Sequence, residues 1–235
     1  SPRSPGATRL FLQFLAGRAR QAEALYILGD LFETWIGDDD IDEPYHAEIV
    51  SALRAASDAG LKISVMHGNR DFLLGSGFTA ASGTLLLKDP YVLSTAEWQF
   101  VLSHGDALCL DDSAYMAFRA QVRSPEWQAT LLAKPLSERR AIAAHMREVS
   151  ESSQRGKDNP YTDLQAAATD DFLREHGYAT FIHGHTHQPA THDHIVDGIH
   201  VERWVMSDWH EDAGECLVWN GEALHREVLY PENLP

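Results

Sequence analysis

Apolar residues along this chain follow two periods. Short continuous apolar runs end in polar turns that carry glycine: Ala24–Leu28 before Gly29-Asp30, Leu61–Met66 before His67-Gly68-Asn69-Arg70-Asp71, Val101-Leu102 before Ser103-His104-Gly105-Asp106, and Tyr178–Ile182 before His183-Gly184-His185-Thr186-His187. Runs of this length read as strands covered on both faces. Between them the spacing is helical. Residues Ser1–Thr8 read as loop, and Leu10, Phe11, Phe14 and Leu15 predict an amphipathic helix running to Ala22. Pro44 opens a helix that reaches Ala59 and stops at Gly60, proline at the start and glycine past the end. Phe72–Ala81 reads as a short helix capped by Gly83. Helices alternating with strands imply parallel pairing and an α/β layered fold.

The pattern changes further along. Thr84–Leu87, Tyr91–Ser94 and Trp98–Ser103 read as strands, the last two a hairpin around Thr95-Ala96-Glu97. From Asp111 to His176 there is no strand signal. Tyr115, Phe118 and Val122, then Leu131 and Leu132, then Ile142 and Met146 suit helices punctuated by Pro125, Pro135 and Pro160. Strands are predicted near Ala190–Ile195, Ile199–Met206, Glu215–Trp219 and Leu224–Leu229, with Asp197-Gly198 and Asn220-Gly221 as hairpin turns. The expected organisation is a core of residues 1–110 and 177–235, two sheets face to face flanked by helices. Residues 111–176 form a helical insertion that caps the strand ends.

Composition narrows the picture. A length of 235 residues allows one large domain with an insertion and a substantial core. A formal net charge of −16 argues against a general nucleic-acid binder, although it does not forbid a local basic pocket. Cys109 and Cys216 are too few for a disulfide framework, which points to a reducing compartment. No stretch approaches the roughly 18 apolar residues of a membrane span, and no secretory pattern is present.

The glycine turns carry the chemistry. Residues i and i+2 of extended backbone point to one side, so His185 and His187 can reach one metal ion. Asp30, Asn69, His104, His185 and His187 are the candidate ligands, oxygen and imidazole donors suited to divalent ions that activate water for phosphorus chemistry. Asp30 is the strand-end acid able to bridge two ions, and Asn69 offers a neutral carbonyl oxygen. Ions about 3.5–4 Å apart in such sites clamp the attacking and leaving oxygens of an in-line displacement. Arg70, beside a ligand, is placed to hold a phosphate oxygen. The catalytic set is therefore Asn69, Arg70 and His104. Asp71 and Asp106 read as braces of their loops; His183 still lies within the strand, and a role orienting a ligand is the lesser reading for it.

These signatures, Gly29-Asp30, Gly68-Asn69-Arg70-Asp71, Ser103-His104-Gly105-Asp106 and Gly184-His185-Thr186-His187, resemble those of the calcineurin-like metallophosphoesterase superfamily. Three stretches narrow the likeness: Gly29 to Asp39, His104 to Asp112 continuing through Tyr115, Phe118 and Arg119, and His183 to Pro189. They resemble the bacterial UDP-2,3-diacylglucosamine pyrophosphatase family of lipid A synthesis, from about Leu10 to near the C-terminus. The resemblance implies a four-layer α-β-β-α sandwich with a helical cap whose apolar groove takes acyl chains. It implies a manganese pair, water attack on the phosphorus of the UMP half, and release of UMP and 2,3-diacylglucosamine 1-phosphate. It also implies peripheral association with the cytoplasmic face of the inner membrane; a monomer that binds no nucleic acid is expected. Asn69, Arg70, Asp112, Ser150, Gln154, Lys157 and His185 match substrate-contacting positions, with Arg147 one helical turn from Ser150. Gln154 stands where the family pattern has Asn.

One signature is missing. The superfamily opens with Asp-x-His on its first strand, and no such pair precedes Leu10. The expectation is that this strand lies upstream of Ser1; without it one of the two metal sites is incomplete. Two other readings stay open: a phosphodiesterase of the same superfamily acting on a small nucleotide, and a scaffold that has lost catalysis.

Overall fold

A computed structural model describes residues 4–154 and 163–234. Two sheets pack face to face. The first joins β1 (Ala24–Ile27), β2 (Lys62–Met66) and β3 (Leu85–Leu87), all parallel. The second has the order β4 (Tyr91–Ser94), β5 (Gln99–Ser103), β6 (Thr180–His183), β8 (Ile199–Val205), β7 (Ala190–Val196). Its centre, β5-β6-β8, is parallel and both outer pairs are antiparallel hairpins. A separate hairpin, β9 (Gly214–Trp219) with β10 (Leu224–Leu229), lies in the layer of the first sheet.

Alternation of side chains across each strand sorts the core into layers. Met66, Phe100, Leu102 and Ile182 pack between the sheets with Tyr26, Leu87, Trp204, Leu217 and Trp219. The opposite faces of β1 and β2, carrying Leu25, Ile27, Ile63 and Val65, meet α1 (Pro5–Ala16), α2 (Pro44–Asp58) and α3 (Ser76–Ser82) through Phe14, Leu15, Leu53 and Phe78. Val101 and Phe181 on the far face of the second sheet meet Leu173 and Phe172 of α7 (Ala166–Glu175). The result is the four-layer α-β-β-α order. Cys216 and Leu229 reach the outer cluster while Leu217 and Leu224 face the inner one, which is why the β9-β10 hairpin belongs to the first sheet's layer.

Among the described residues, 111–176 hold no strand. They contain α4 (Ser113–Val122), α5 (Pro125–Leu132) and α6 (Leu136–Gln154), and then α7. The last of these packs under the sheet rather than over the strand ends. Other boundaries also differ from expectation. Helix α1 starts at Pro5, inside the stretch read as loop, because proline at the first turn costs no hydrogen bond. It ends at Ala16, and Arg18–Gln21 forms a short 3₁₀ turn instead of continuing the helix to Ala22. Phe72–Gly75 is not helical: Phe72, Leu73 and Leu74 turn into the core instead, and α3 begins at Ser76. Gly83 caps it in a left-handed conformation, φ 73°.

Leu53 is fully buried on α2. Leu53→Ala should lower unfolding free energy by about 2–5 kcal/mol, read by denaturant titration. A second expectation concerns Arg203, buried on β8, whose guanidinium donates to both Asp163 oxygens at 2.9 and 3.0 Å and reaches His183 Nε2 at 3.1 Å. Burial opposes the Asp163 charge, but the Arg203 hydrogen bonds outweigh it and hold the carboxyl below its ordinary value. Stability from this pair is therefore present above the unfolded carboxylate pKa, about 3.9, and fades as pH falls through the folded value. Asp163 is 43% exposed, which screens the pair, so Asp163→Asn should cost no more than about 1 kcal/mol at pH 7, with the gap to the parent protein closing on acidification.

Candidate metal centre and substrate cavity

Parallel pairing puts the site at one edge. Ile27 lies opposite Val65, and Ser103 opposite His183, so the turns after β1 and β2, and after β5 and β6, leave their sheets level with one another. Clefts at the carboxyl ends of parallel strands are where such folds bind ligands. The turns are tight. Asp30, His185 and His187 all sit at left-handed φ, 53°, 66° and 52°, a conformation that costs non-glycine residues and clusters at functional sites. A Cβ on Gly29 would stand 2.6 Å from both Gly68 Cα and His104 Nδ1, so only glycine lets these turns touch.

The side chains then meet. His104 is 1% exposed. Its Nδ1–H donates to Leu28 O at 2.8 Å, which fixes the ring across the sheets. Its Nε2 faces Asn69 Oδ1 at 2.9 Å and Asp30 Oδ2 at 3.8 Å. On the other side His185 Nδ1 lies 3.0 Å from the same Asn69 oxygen, and the two imidazoles meet edge to face with centroids 5.1 Å apart. His187 lines the same cavity, and its Nδ1 lies 3.3 Å from Asp208 Oδ2. Asp30, Asn69 and His185 thus each meet His104, and Asn69 also meets His185, with His187 lining the same cavity.

Buried acids hold the turns. Asp71, fully buried, accepts from the backbone N–H groups of Gly68 at 2.7 Å, Asp30 at 3.2 Å and Phe32 at 3.4 Å, tying the first turn to the second. Burial, reinforced by the Asp30 charge, pushes the Asp71 carboxyl up to about 6. Asp106, also fully buried, accepts from Tyr115 Oη at 2.8 Å and Arg119 Nε at 2.9 Å, both on α4. Burial opposes its charge, but His104 and Arg119 outweigh that and pull it down to about 2. Burial brings His185 down to about 4, with His104 adding to the effect, so its imidazole is neutral. At His104 burial opposes the charged form, yet Asp30 and Asp106 win and raise it. His183, 0% exposed, uses both ring nitrogens, toward Gly184 O at 2.9 Å and toward Arg203.

Above the turns lies a cavity of about 240 Å³. Its floor is Asp30, Asn69, Arg70, His185 and His187, its polar wall Glu33, Asp112, Tyr115, Arg147 and Ser150. The rest is apolar, with Phe72, Phe118, Trp127, Leu131, Ile142 and Met146. Asp112 also caps α4 by accepting from Tyr115 N at 2.9 Å. Gln154 closes α6, but its side chain, like all of Lys157, lies outside the described residues. A second cavity of about 390 Å³ opens beside β1, between Phe11 and Phe14 of α1 and Glu215 and Cys216 of β9, and reaches Asp30, His104 and His187.

The convergent donors fit a divalent cation. One carboxylate, one amide oxygen and two imidazoles direct lone pairs toward one another at 2.9 to 3.8 Å. Among the described residues no three His, Cys, Asp or Glu side chains form a cage by themselves. The centre of the group is an asparagine, and the His187 ring is turned to Asp208. The sequence reading missed two wall residues, Glu33 and Tyr115. Both fall inside stretches quoted for the family resemblance, but no local pattern marks either as facing the cavity.

No protein-family model matches the chain. Curated relatives do. A UDP-2,3-diacylglucosamine hydrolase of Chromobacterium violaceum is 49% identical over 216 residues, 92% of this chain and 89% of the relative. One of Aromatoleum aromaticum is 46% identical over 217 residues, 92% and 88%, and one of Klebsiella pneumoniae 46% over 214 residues, 91% and 89%. Among solved structures, an archaeal phosphodiesterase overlays 95% of this chain and 92% of its own at 12% identity and a TM-score of 0.41, too loose an overlay to bear on function. At this identity over nine-tenths of its length, the chain belongs to the UDP-2,3-diacylglucosamine hydrolase family.

Proposed function

We propose that this protein hydrolyses the pyrophosphate bond of UDP-2,3-diacylglucosamine in lipid A biosynthesis, giving UMP and 2,3-diacylglucosamine 1-phosphate. The observation that carries the reading is the contact of Asn69 with both His104 and His185 at the floor of a cavity whose upper wall is apolar. A small soluble nucleotide needs no such wall; a substrate with two acyl chains does. Asp30, Asn69, His104, His185 and His187 would hold divalent manganese. When bound, such a pair lowers the pKa of water and neutralises charge on the phosphorus oxygens.

The chain's own residues do the rest. Arg70, on the turn next to Asn69, presents its guanidinium to the cavity and meets developing charge on phosphate oxygens. Leu28 O anchors the His104 ring, so its Nε2 stays aimed at the floor. Asp112, Ser150 and Arg147 contact the head group, joined by Gln154 and Lys157, while Phe118, Trp127, Ile142 and Met146 take acyl carbons and exclude water. Helices α4 to α6 act as the cap in this reading. Among the described residues no helix is long and apolar enough to cross a membrane. The lipid substrate favours peripheral association with the cytoplasmic face of the inner membrane, by a monomer.

Three outcomes are expected. Hydrolysis in ¹⁸O-labelled water with manganese should place the label in UMP, and chelator should abolish turnover; label in the sugar phosphate would refute attack at the UMP phosphorus. Arg70→Ala should keep its manganese content and lose about 10²-fold in kcat, so normal kinetics would remove Arg70 from the catalytic set. His187→Ala should weaken manganese binding at least about 10-fold by calorimetry; unaltered affinity would strike it from the ligands.

A further inference from the structure

Glu33 is an acid in the cavity wall that the proposed chemistry leaves without a task. It lines both cavities at the site, of about 240 and 390 Å³, and a further one of about 330 Å³ between α6 and residues 40–46. Its Oε2 accepts from Arg70 Nη1 at 3.1 Å and also from Arg147 Nη2. The two guanidinium groups come from separate elements, the turn after β2 and helix α6. One carboxylate oxygen therefore joins the arginine of the catalytic floor to the arginine of the opposite wall. All three side chains are between a quarter and a third exposed, so the pair is accessible from the cavity.

We propose that Glu33 is a positioning residue that sets Arg70 and Arg147 as a matched pair for the diphosphate group of the substrate, an inference that rests on the hydrolase reading above. Two guanidinium groups at one oxygen repel each other, and each sits on a long side chain with many rotamers. The carboxylate between them offsets the repulsion and holds both chains in one geometry before an anion arrives. Binding then avoids the ordering cost of two flexible side chains. Holding α6 in place is not the task of Glu33. Arg139 donates to Ile36 O at 2.6 Å and pairs with Asp39, and Arg140 pairs with Asp40, so the helix is pinned to the same loop independently.

The test compares the parent protein with Glu33→Gln, Arg147→Ala and the double variant, using UDP-2,3-diacylglucosamine turnover, UDP affinity by calorimetry, and melting temperature. For Glu33→Gln the expected result is a KM and a UDP dissociation constant about 10-fold higher, a fall in kcat smaller than the roughly 10²-fold expected of Arg70→Ala because Arg70 stays but loses this brace, and an unchanged melting temperature. Glu33→Asp should recover part of the loss. The double variant should lose less than the sum of the two single losses, because Arg147 is one of the two arginines through which the glutamate acts. An unaltered or lower KM in Glu33→Gln, with the parent protein active, would overturn this inference alone, as would additive losses in the double variant. A parent protein that does not hydrolyse the substrate would overturn the hydrolase reading and this inference together.

Discussion

The structure turns on one amide oxygen. Asn69 Oδ1 is approached by His104 from the second sheet and by His185 from the next strand of that sheet, at 2.9 and 3.0 Å. Asn69 itself comes from the first sheet. That oxygen is the point at which two separately hydrogen-bonded sheets agree on a common edge. The agreement is inherited from parallel pairing, because β1 and β2, like β5 and β6, release their turns at matching heights. It is tightened by the contact of Gly29 with Gly68 and by the reach of His104 Nδ1 to Leu28 O.

Buried charge makes this edge rigid. A carboxylate with no exposure is costly unless it is hydrogen-bonded; Asp71 meets that condition through both oxygens, and Asp106 through Oδ2 alone, its buried Oδ1 having no hydrogen-bond partner among the described residues. Asp71 binds backbone N–H groups from the turns after β1 and β2. Asp106 binds α4 through Tyr115 and Arg119, and Arg123, the residue that ends this helix, donates to Gly68 O at 2.9 Å. The helix roofing the cavity is thus bonded to two of the turns that form its floor, so displacing α4 disturbs both. Arg203 and Asp163 do the same for the histidine turn through His183.

The turns were legible in the sequence because a buried strand followed by Gly-Asp, Gly-Asn-Arg or Gly-His is a local signal, visible within a few residues. The helical character of 113–154 was legible for the same reason. What the chain did not announce is long-range. Nothing near Glu33 says that it meets Arg147, more than a hundred positions away, and nothing near Asp106 names Arg119 as its partner rather than solvent. Phe72-Leu73-Leu74 read as helix because apolar density is high there, but those side chains fill the gap under α5 without helical backbone. Helix α7 carries the same amphipathic pattern as the helices before it. Only the packing of Leu173 against Phe181 and Val101 shows that it is the fourth layer.

The claim beneath the proposed function is that four turns share a cation around Asn69. Anomalous diffraction from manganese-soaked crystals tests this directly. The account predicts a peak within bonding distance of Asn69 Oδ1 and of His104 Nε2, with Asp30, His185 and His187 completing the shell. A clear manganese peak elsewhere, with this cluster empty at saturating metal, would contradict it.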